Sequence, residues 1–238
     1  MNKLIINADD FGASDKINKA IAFLLKNQYI TSTTLMLGMP NSADAIEYVK
    51  SNNIKCVGLH LNLSDGYSII NNKRKLDFVV EYNNLNLLYQ IKNYKFYLQE
   101  INRQLEYITE EINISHLDGH RHTQIYPLLL GPVIIKMKKY NISKIRREYT
   151  YLFSQNLFKR IIKRYIFNKI KNTNTNTTDY FFDLNYFIEN IDRIKKFKNK
   201  TIEIMCHPSI NNNDFNTLMS DEFKHIKEYF TLISYKDL

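Results

Sequence analysis

The run His116-Leu117-Asp118-Gly119-His120-Arg121-His122 puts three histidines and an aspartate at alternate positions. On an extended chain residues two apart face the same way, so these side chains are expected on one side, where a His-x-His pair can reach one metal ion. Imidazole and carboxylate suit a borderline or hard divalent cation, and two histidines with one aspartate leave positions open for water and substrate. Short histidine clusters also arise as core residues or helix caps, so this run alone does not decide the matter. Asp9-Asp10 is a second candidate, with one carboxylate held on a metal and its neighbour free as general base. Adjacent acids also start helices, but here Ser14 is available as the cap.

The elements that would carry these residues follow from hydrophobic period. Leu4 to Ala8 reads as a buried strand, Ile17, Ala20, Ile21, Leu24 and Leu25 as the apolar stripe of a helix over 15–27, and 30–36 as a β-branched strand. A helix over about 41–52 and a strand over 56–62 follow. Then come a helical stretch near 94–112, a strand near 114–118, a helix over about 126–139, a strand near 143–147 and a late strand over 202–206. Strands alternating with helices predict a single α/β domain, a parallel sheet with right-handed crossovers. In such a fold the strand C-terminal ends gather the chemistry on one face. Asp9, Asp10, His60, the 116–122 run and His207 all fall at such ends, leaving His225 as the histidine elsewhere. The Asn/Thr tract at 172–178 is expected to be an exposed loop.

Composition narrows the class. With 238 residues, 44% hydrophobic and 24% charged, the chain is long enough for a sizeable core. No apolar run reaches the ~18 residues of a membrane span. The short apolar run before Asp9 does not read as a signal peptide, so a cytoplasmic location is expected. Cys56 and Cys206 are then expected as buried thiols. The net charge of +9 favours anionic partners only if it is clustered. Residues 157–171 read as a basic amphipathic helix, with Leu157, Phe158, Ile161, Ile162, Tyr165 and Ile166 on one face and Lys159, Arg160, Lys163 and Arg164 on the other. That helix either packs on the core with a solvated basic face or meets an anionic membrane or polymer. No nucleic-acid module is recognisable, and no partner of that kind is expected.

Five stretches, Asn7 to Gly12 (NADDFG), Ile30 to Thr34 (ITSTT), Gly58 to Leu63 (GLHLNL), His116 to His122 (HLDGHRH) and Glu203 to Pro208 (EIMCHP), resemble, in order, motifs of the YdjC/ChbG family. These are metal-dependent carbohydrate deacetylases with a barrel-like α/β fold. The resemblance implies that Asp10, His60 and His120 hold one divalent ion, Mg²⁺ or Zn²⁺, that Asp9 acts as base and that His207 acts as acid on the leaving group. It places His122 and Arg146 near substrate, with Arg147 as the alternative to Arg146 one register step away. It also implies an acetylated sugar as substrate and suggests a homodimer. Relatives carry histidine where this chain has Arg121 and Gln124, and those two are expected on the rim beside the ligand. The reaction implied is removal of an acetyl group from an N-acetylated sugar by metal-activated water. The alternatives are a metal-dependent phosphoesterase and a basic binding protein whose histidines are structural.

Overall fold

Apolar runs too short to be helices and too uniformly apolar to have a wet face become the strands of one parallel sheet. The structure is a computed structural model and describes residues 1–79, 84–147, 150 and 157–238. In chain order the elements are β1 (Asn2–Phe11), α1 (Asp15–Lys26), β2 (Ser32–Met36), α2 (Ser42–Ser51), β3 (Val57–Leu61), α3 (Asn84–Glu111), β4 (Leu117–Gly119) and α4 (Pro127–Lys139). There follow α5 (Leu157–Lys171), β5 (Tyr180–Asp183), α6 (Leu184–Glu189), α7 (Ile191–Ile194), β6 (Thr201–Cys206), α8 (Asn213–Met219), α9 (Asp221–Lys227) and β7 (Phe230–Leu232). The strand order is β4-β3-β2-β1-β6-β5, with β7 paired to the start of β1. The strands form a half-barrel surrounded by helices, the α/β architecture expected. Leu4, Ile5 and Ile6 are all fully buried, as a central strand covered on both faces requires.

Ser14 caps α1, its hydroxyl accepting from the Ile17 amide, which frees Asp9 and Asp10 from the capping role. Both free thiols are reduced, Cys206 buried and Cys56 half-buried. Among the described residues no helix is long and apolar enough to cross a membrane.

Two local expectations need correction, and a third needs an addition. The strand near 143–147 survives only as isolated pairs, Leu117 with Ile145 and Lys144 with Asn176, which bridge the gap between β4 and β5. Ile145 and Arg146 are both fully buried there, and Arg146 is held by its backbone bond to Leu117 as well as by ion pairs. The Asn/Thr tract is a loop tied down at one point. Its asparagines are exposed, but Asn176 exchanges backbone bonds with Ser143 and Ile145, and this draws Thr175 and Thr178 into burial. In α5, Ile166 and Ile170 pack in the core, whereas Ile161 and Tyr165, expected on the same apolar face, are exposed. The side chains of 157–160, 162 and 163 lie outside the described residues.

The feature that matters most for function is a register slip in β1. Asn7 and Ala8 pair with Ser32 and Thr33, but Phe11 pairs with Leu35, so Asp9 and Asp10 together stand opposite the single residue Thr34. This is a β-bulge, and Asp10 takes it in the left-handed region at φ 67°. On a regular strand two successive side chains point to opposite faces. The bulge turns both carboxylates toward the same end of the barrel. Aspartate tolerates the conformation better than most residues, at a cost of roughly 1–2 kcal/mol.

Lower in the barrel, His116 is fully buried, and it lies against Gly58 of β3 where a Cβ would come within 2.6 Å of its ring. Gly58→Ala is therefore expected to destabilise the fold by about 1–3 kcal/mol through overpacking. The check is a thermal melt, which should fall by roughly 2–4 °C per kcal/mol for a chain of this size. The second variant Gly58→Ala/His116→Ala should recover part of the loss.

Candidate metal centre and active site

Parallel register brings β3 and β4 side by side with His60 directly opposite Asp118. Residues so paired point to the same face, and His60 Nδ1 lies 2.7 Å from Asp118 Oδ1. A carboxylate can only accept, so Nδ1 carries the proton and Nε2 is turned toward the barrel mouth. There it makes no hydrogen bond although it is buried. Its neighbour is Asp10 Oδ1 at 3.2 Å, and the same oxygen lies 3.1 Å from His120 Nδ1. The far nitrogen of His120, Nε2, is 2.9 Å from Asp65 Oδ2.

Asp10, His60 and His120 thus present three ligand atoms within 4.8 Å of one another. Each imidazole is oriented by a carboxylate on its other nitrogen, the usual outer arrangement of metal-ligating histidines. Donor atoms bound at about 2.0–2.2 Å to one ion lie about 3.0–3.5 Å apart, which the observed contacts match. The electrostatics agree with the geometry. Burial alone would lower the His60 pKa, but Asp118, Asp10 and Asp9 outweigh it and hold it up to about 10. Burial also opposes charge on Asp10, and the two histidines overcome it and keep that carboxyl well below the ordinary range. Carboxylates gathered this closely around the imidazoles favour positive charge between them, and the buried His60 Nε2, which makes no hydrogen bond, fits a divalent ion.

Asp9 sits beneath this group. Its two oxygens accept from both terminal nitrogens of Arg146, at 2.6 and 2.7 Å, and Oδ1 accepts also from Asn7 Nδ2 at 2.8 Å. Burial disfavours its charge, yet Arg146 prevails and the carboxyl remains well below the ordinary range. Arg146 also contacts Asp118 at 2.7 Å and, through Nε, Glu203 at 2.7 Å. Its relative exposure is 0%. The residue expected near substrate therefore has no face open to a ligand. Arg147, the alternative one step along, points outward to the backbone oxygens of Thr178 and Asp179.

The remaining expected residues divide. His207, the residue after β6, is exposed, and its backbone is pinned by Asp214 Oδ2, which accepts from its amide, and by Asn212 Nδ2, which donates to its carbonyl. It follows Cys206, which pairs with Ala8, and so leaves the sheet beside Asp9. His122 is half-buried with its ring edge-on to Phe181, and burial together with Arg146 pushes its pKa down to about 4. The shared-face expectation for 116–122 holds only through Gly119. Beyond it the chain leaves the strand for a 3₁₀ turn over His120–Ile125 in which Arg121 and His122 are left-handed. A turn rather than strand parity places His120. His116 stays in the core, stacked on Tyr235 at 3.6 Å. Arg121 is exposed on the rim 3.3 Å from Asp65, but Gln124 is fully buried and is not a rim residue.

Sequence reasoning passed over Asn7, Thr34, Asp65 and Glu203 as working residues, and it had Asp118 only as the aspartate on the shared face of the histidine run. Thr34 donates to Asp118 and accepts from Asn7, so the first two motifs are tied to the third and fourth. Asp118 was visible as the inward neighbour of His116, whereas Asp65 lies in a loop with no periodic signal.

Comparison with known proteins agrees with this layout. The model of the YdjC-like protein family matches residues 3–236. A protein of Vibrio cholerae named carbohydrate deacetylase is 28% identical over 214 residues, covering 87% of this chain and 78% of its own. One of the same name from Clostridium beijerinckii is 29% identical over 241 residues, covering 97% and 91%. A crystal structure from Enterococcus faecalis V583, described provisionally as a cellobiose-phosphate cleavage protein, superposes with a TM-score of 0.76 at 20% identity over 99% of this chain and 98% of its own. At that identity it speaks to the fold.

The paired carboxylates behind the histidines give a measurable expectation. Asp65→Asn should weaken binding of a divalent ion about 10- to 100-fold by calorimetric titration without unfolding the protein, because His120 is the one ligand residue it touches and its other partners are on the rim. His120→Ala should abolish binding. An unchanged affinity in Asp65→Asn would show that the rim carboxylate does not orient the ligand.

Proposed function

Because the chain belongs to the YdjC-like protein family, we propose that it is a carbohydrate deacetylase, a hydrolase that releases acetate from an N-acetylated sugar. The observation that carries the reading is the convergence of Asp10, His60 and His120 ligand atoms with the Asp9 carboxylate one residue away. Asp10, His60 and His120 are the residues that hold the ion. Two imidazoles beside one carboxylate suit Zn²⁺ better than Mg²⁺, which prefers oxygen ligands throughout.

Asp9 is the proton acceptor for the attacking water. A carboxylate held as far below the ordinary range as Asp9 is a weak base, so this role needs an acidified water, and a bound divalent ion supplies that acidity together with polarisation of the acetyl carbonyl. Arg146, sealed below, fixes Asp9 in place and favours its return to the ionised form after each turnover. Water adds to the carbonyl carbon, the C–N bond breaks, and the sugar amine must leave with a proton. We assign that proton to His207, which is exposed and follows the β6 residue paired with Ala8. His122, on the same side, contributes a neutral imidazole toward the substrate. No Ser or Cys nucleophile is required.

Acetate release from a panel of N-acetylated saccharides, after chelation and with metal added back, tests the reading. Activity should vanish with the metal and return with it. Asp9→Asn should keep metal affinity while losing on the order of 10²–10⁴-fold in turnover. Equal loss of metal in Asp9→Asn and His120→Ala would refute the division between base and ligand. His207→Ala should lose far more activity on an N-acetyl sugar than on an activated aryl acetate, whose leaving group needs no proton. Equal losses on the two substrates would remove the acid role.

A further inference from the structure

Glu203 and Tyr235 are not used by the chemistry just described, yet both are fully buried in the barrel interior. Glu203 lies on β6 in register with Ile5 of β1 and Phe181 of β5. Its Oε1 accepts from Arg146 Nε at 2.7 Å, and its Oε2 accepts from the Tyr235 hydroxyl at 2.5 Å. Tyr235 is itself held from several sides. Its ring stacks on His116 with planes 8° apart, its carbonyl accepts from Lys144 Nζ at 2.5 Å, and a Ser234–Asp237 capping box closes the 3₁₀ turn that carries it. A planar guanidinium has its orientation set once both Nε and its terminal nitrogens are engaged. In Arg146 the terminal nitrogens face Asp9, and Nε is the one that faces Glu203.

We infer that Glu203 and Tyr235 are a positioning pair for the reaction, fixing the plane of the Arg146 guanidinium and through it the direction in which Asp9 presents its carboxylate. The inference rests on the reading of Asp9 as base. The pair touches neither substrate nor ligand residues. It acts at a distance, from the barrel floor, on a proton acceptor at the barrel mouth. The titratable groups facing Glu203 are Arg146 from the 144–146 segment, Tyr235 from the turn after β7 and, at longer range, Asp118 from β4. Burial pushes Glu203 up to about 7, against which Arg146 and the Tyr235 hydroxyl favour its charged form.

Tyr235→Phe in the full chain removes that hydroxyl and leaves the ring to stack on His116. A displacement of about 1 Å at a reacting group can cost on the order of 10²-fold. We expect kcat on the N-acetyl sugar to fall about 10- to 100-fold, with KM and divalent-ion affinity unchanged. The acid limb of the kcat profile should move to higher pH, because Glu203 without its hydroxyl partner takes up a proton at higher pH and its hold on Arg146 is lost there. Glu203→Gln is the second variant, for use should Tyr235→Phe fail to fold. It should show the same loss of kcat at unchanged metal affinity, with no recovery at high pH. A lowered melting temperature with unchanged kcat in either folded variant would make the pair structural and overturn the inference. Asp9→Asn measured alongside separates the two readings. If it loses turnover while Tyr235→Phe does not, deacetylation by Asp9 stands and the positioning pair falls. If Asp9→Asn keeps turnover, both fall.

Discussion

A fully buried guanidinium surrounded by carboxylates is the constraint around which the barrel interior is arranged. Arg146 reaches Asp9, Asp118 and Glu203 from three different strands. Removing one partner of a buried ion pair costs about 3–5 kcal/mol because the other charge is left uncompensated. Each of these strands must therefore hold its register to within a fraction of an ångström. Phe181 lies against the guanidinium carbon at 4.9 Å and closes its remaining face. The cluster is an expensive way to fill a core, and a set of aliphatic side chains would stabilise the barrel as well or better. What it provides instead is a fixed anionic floor beneath the residues that gather at the mouth.

From that floor the charge pattern becomes intelligible. Asp118 faces Arg146 with one oxygen and His60 with the other, so the same carboxylate joins the buried cation to the metal-facing imidazole. Asn7 and Thr34 fill the remaining hydrogen-bonding positions between Asp9 and Asp118. The layer is closed except at the top, where His60 Nε2 lies beside Asp10 without a hydrogen bond. A site whose donors are all tied down apart from those that face the ligand reorganises little when the ligand arrives.

Much of this was legible in the residues. The strand cores of β1, β2, β3 and β6 follow from their apolar runs, and the strand-end position of Asp10, His60 and His207 follows from the alternation of elements. What was not legible arises where the backbone departs from a regular period. Nothing in Asp9-Asp10 announces a bulge, because aspartate accepts a left-handed conformation without the glycine that would have signalled it. The strand parity of 116–122 broke at Gly119, where the 3₁₀ turn begins. The 143–147 segment pairs by isolated bridges, to Leu117 on one side and Asn176 on the other, and its local β propensity does not reveal that the ladder goes no further. Asp65 could not be found by period at all, and only the fold carries its loop to His120.

The central position of β1 carries a consequence for the making of the protein. Its partner β6 lies far along the chain, the Cys206 thiol reaching the Asn7 carbonyl across 199 residues. At a synthesis rate of about 5–20 residues per second the ribosome needs roughly 10–40 s to deliver that partner. Throughout this interval one side of this central strand has β2 beside it and the other has an unpaired edge. Topologies dominated by such distant pairings fold slowly and are exposed to aggregation while they wait. Two adjacent acids near the end of β1, mutually repulsive until a cation and Arg146 arrive, put negative charge on that waiting strand and oppose its association with copies of itself.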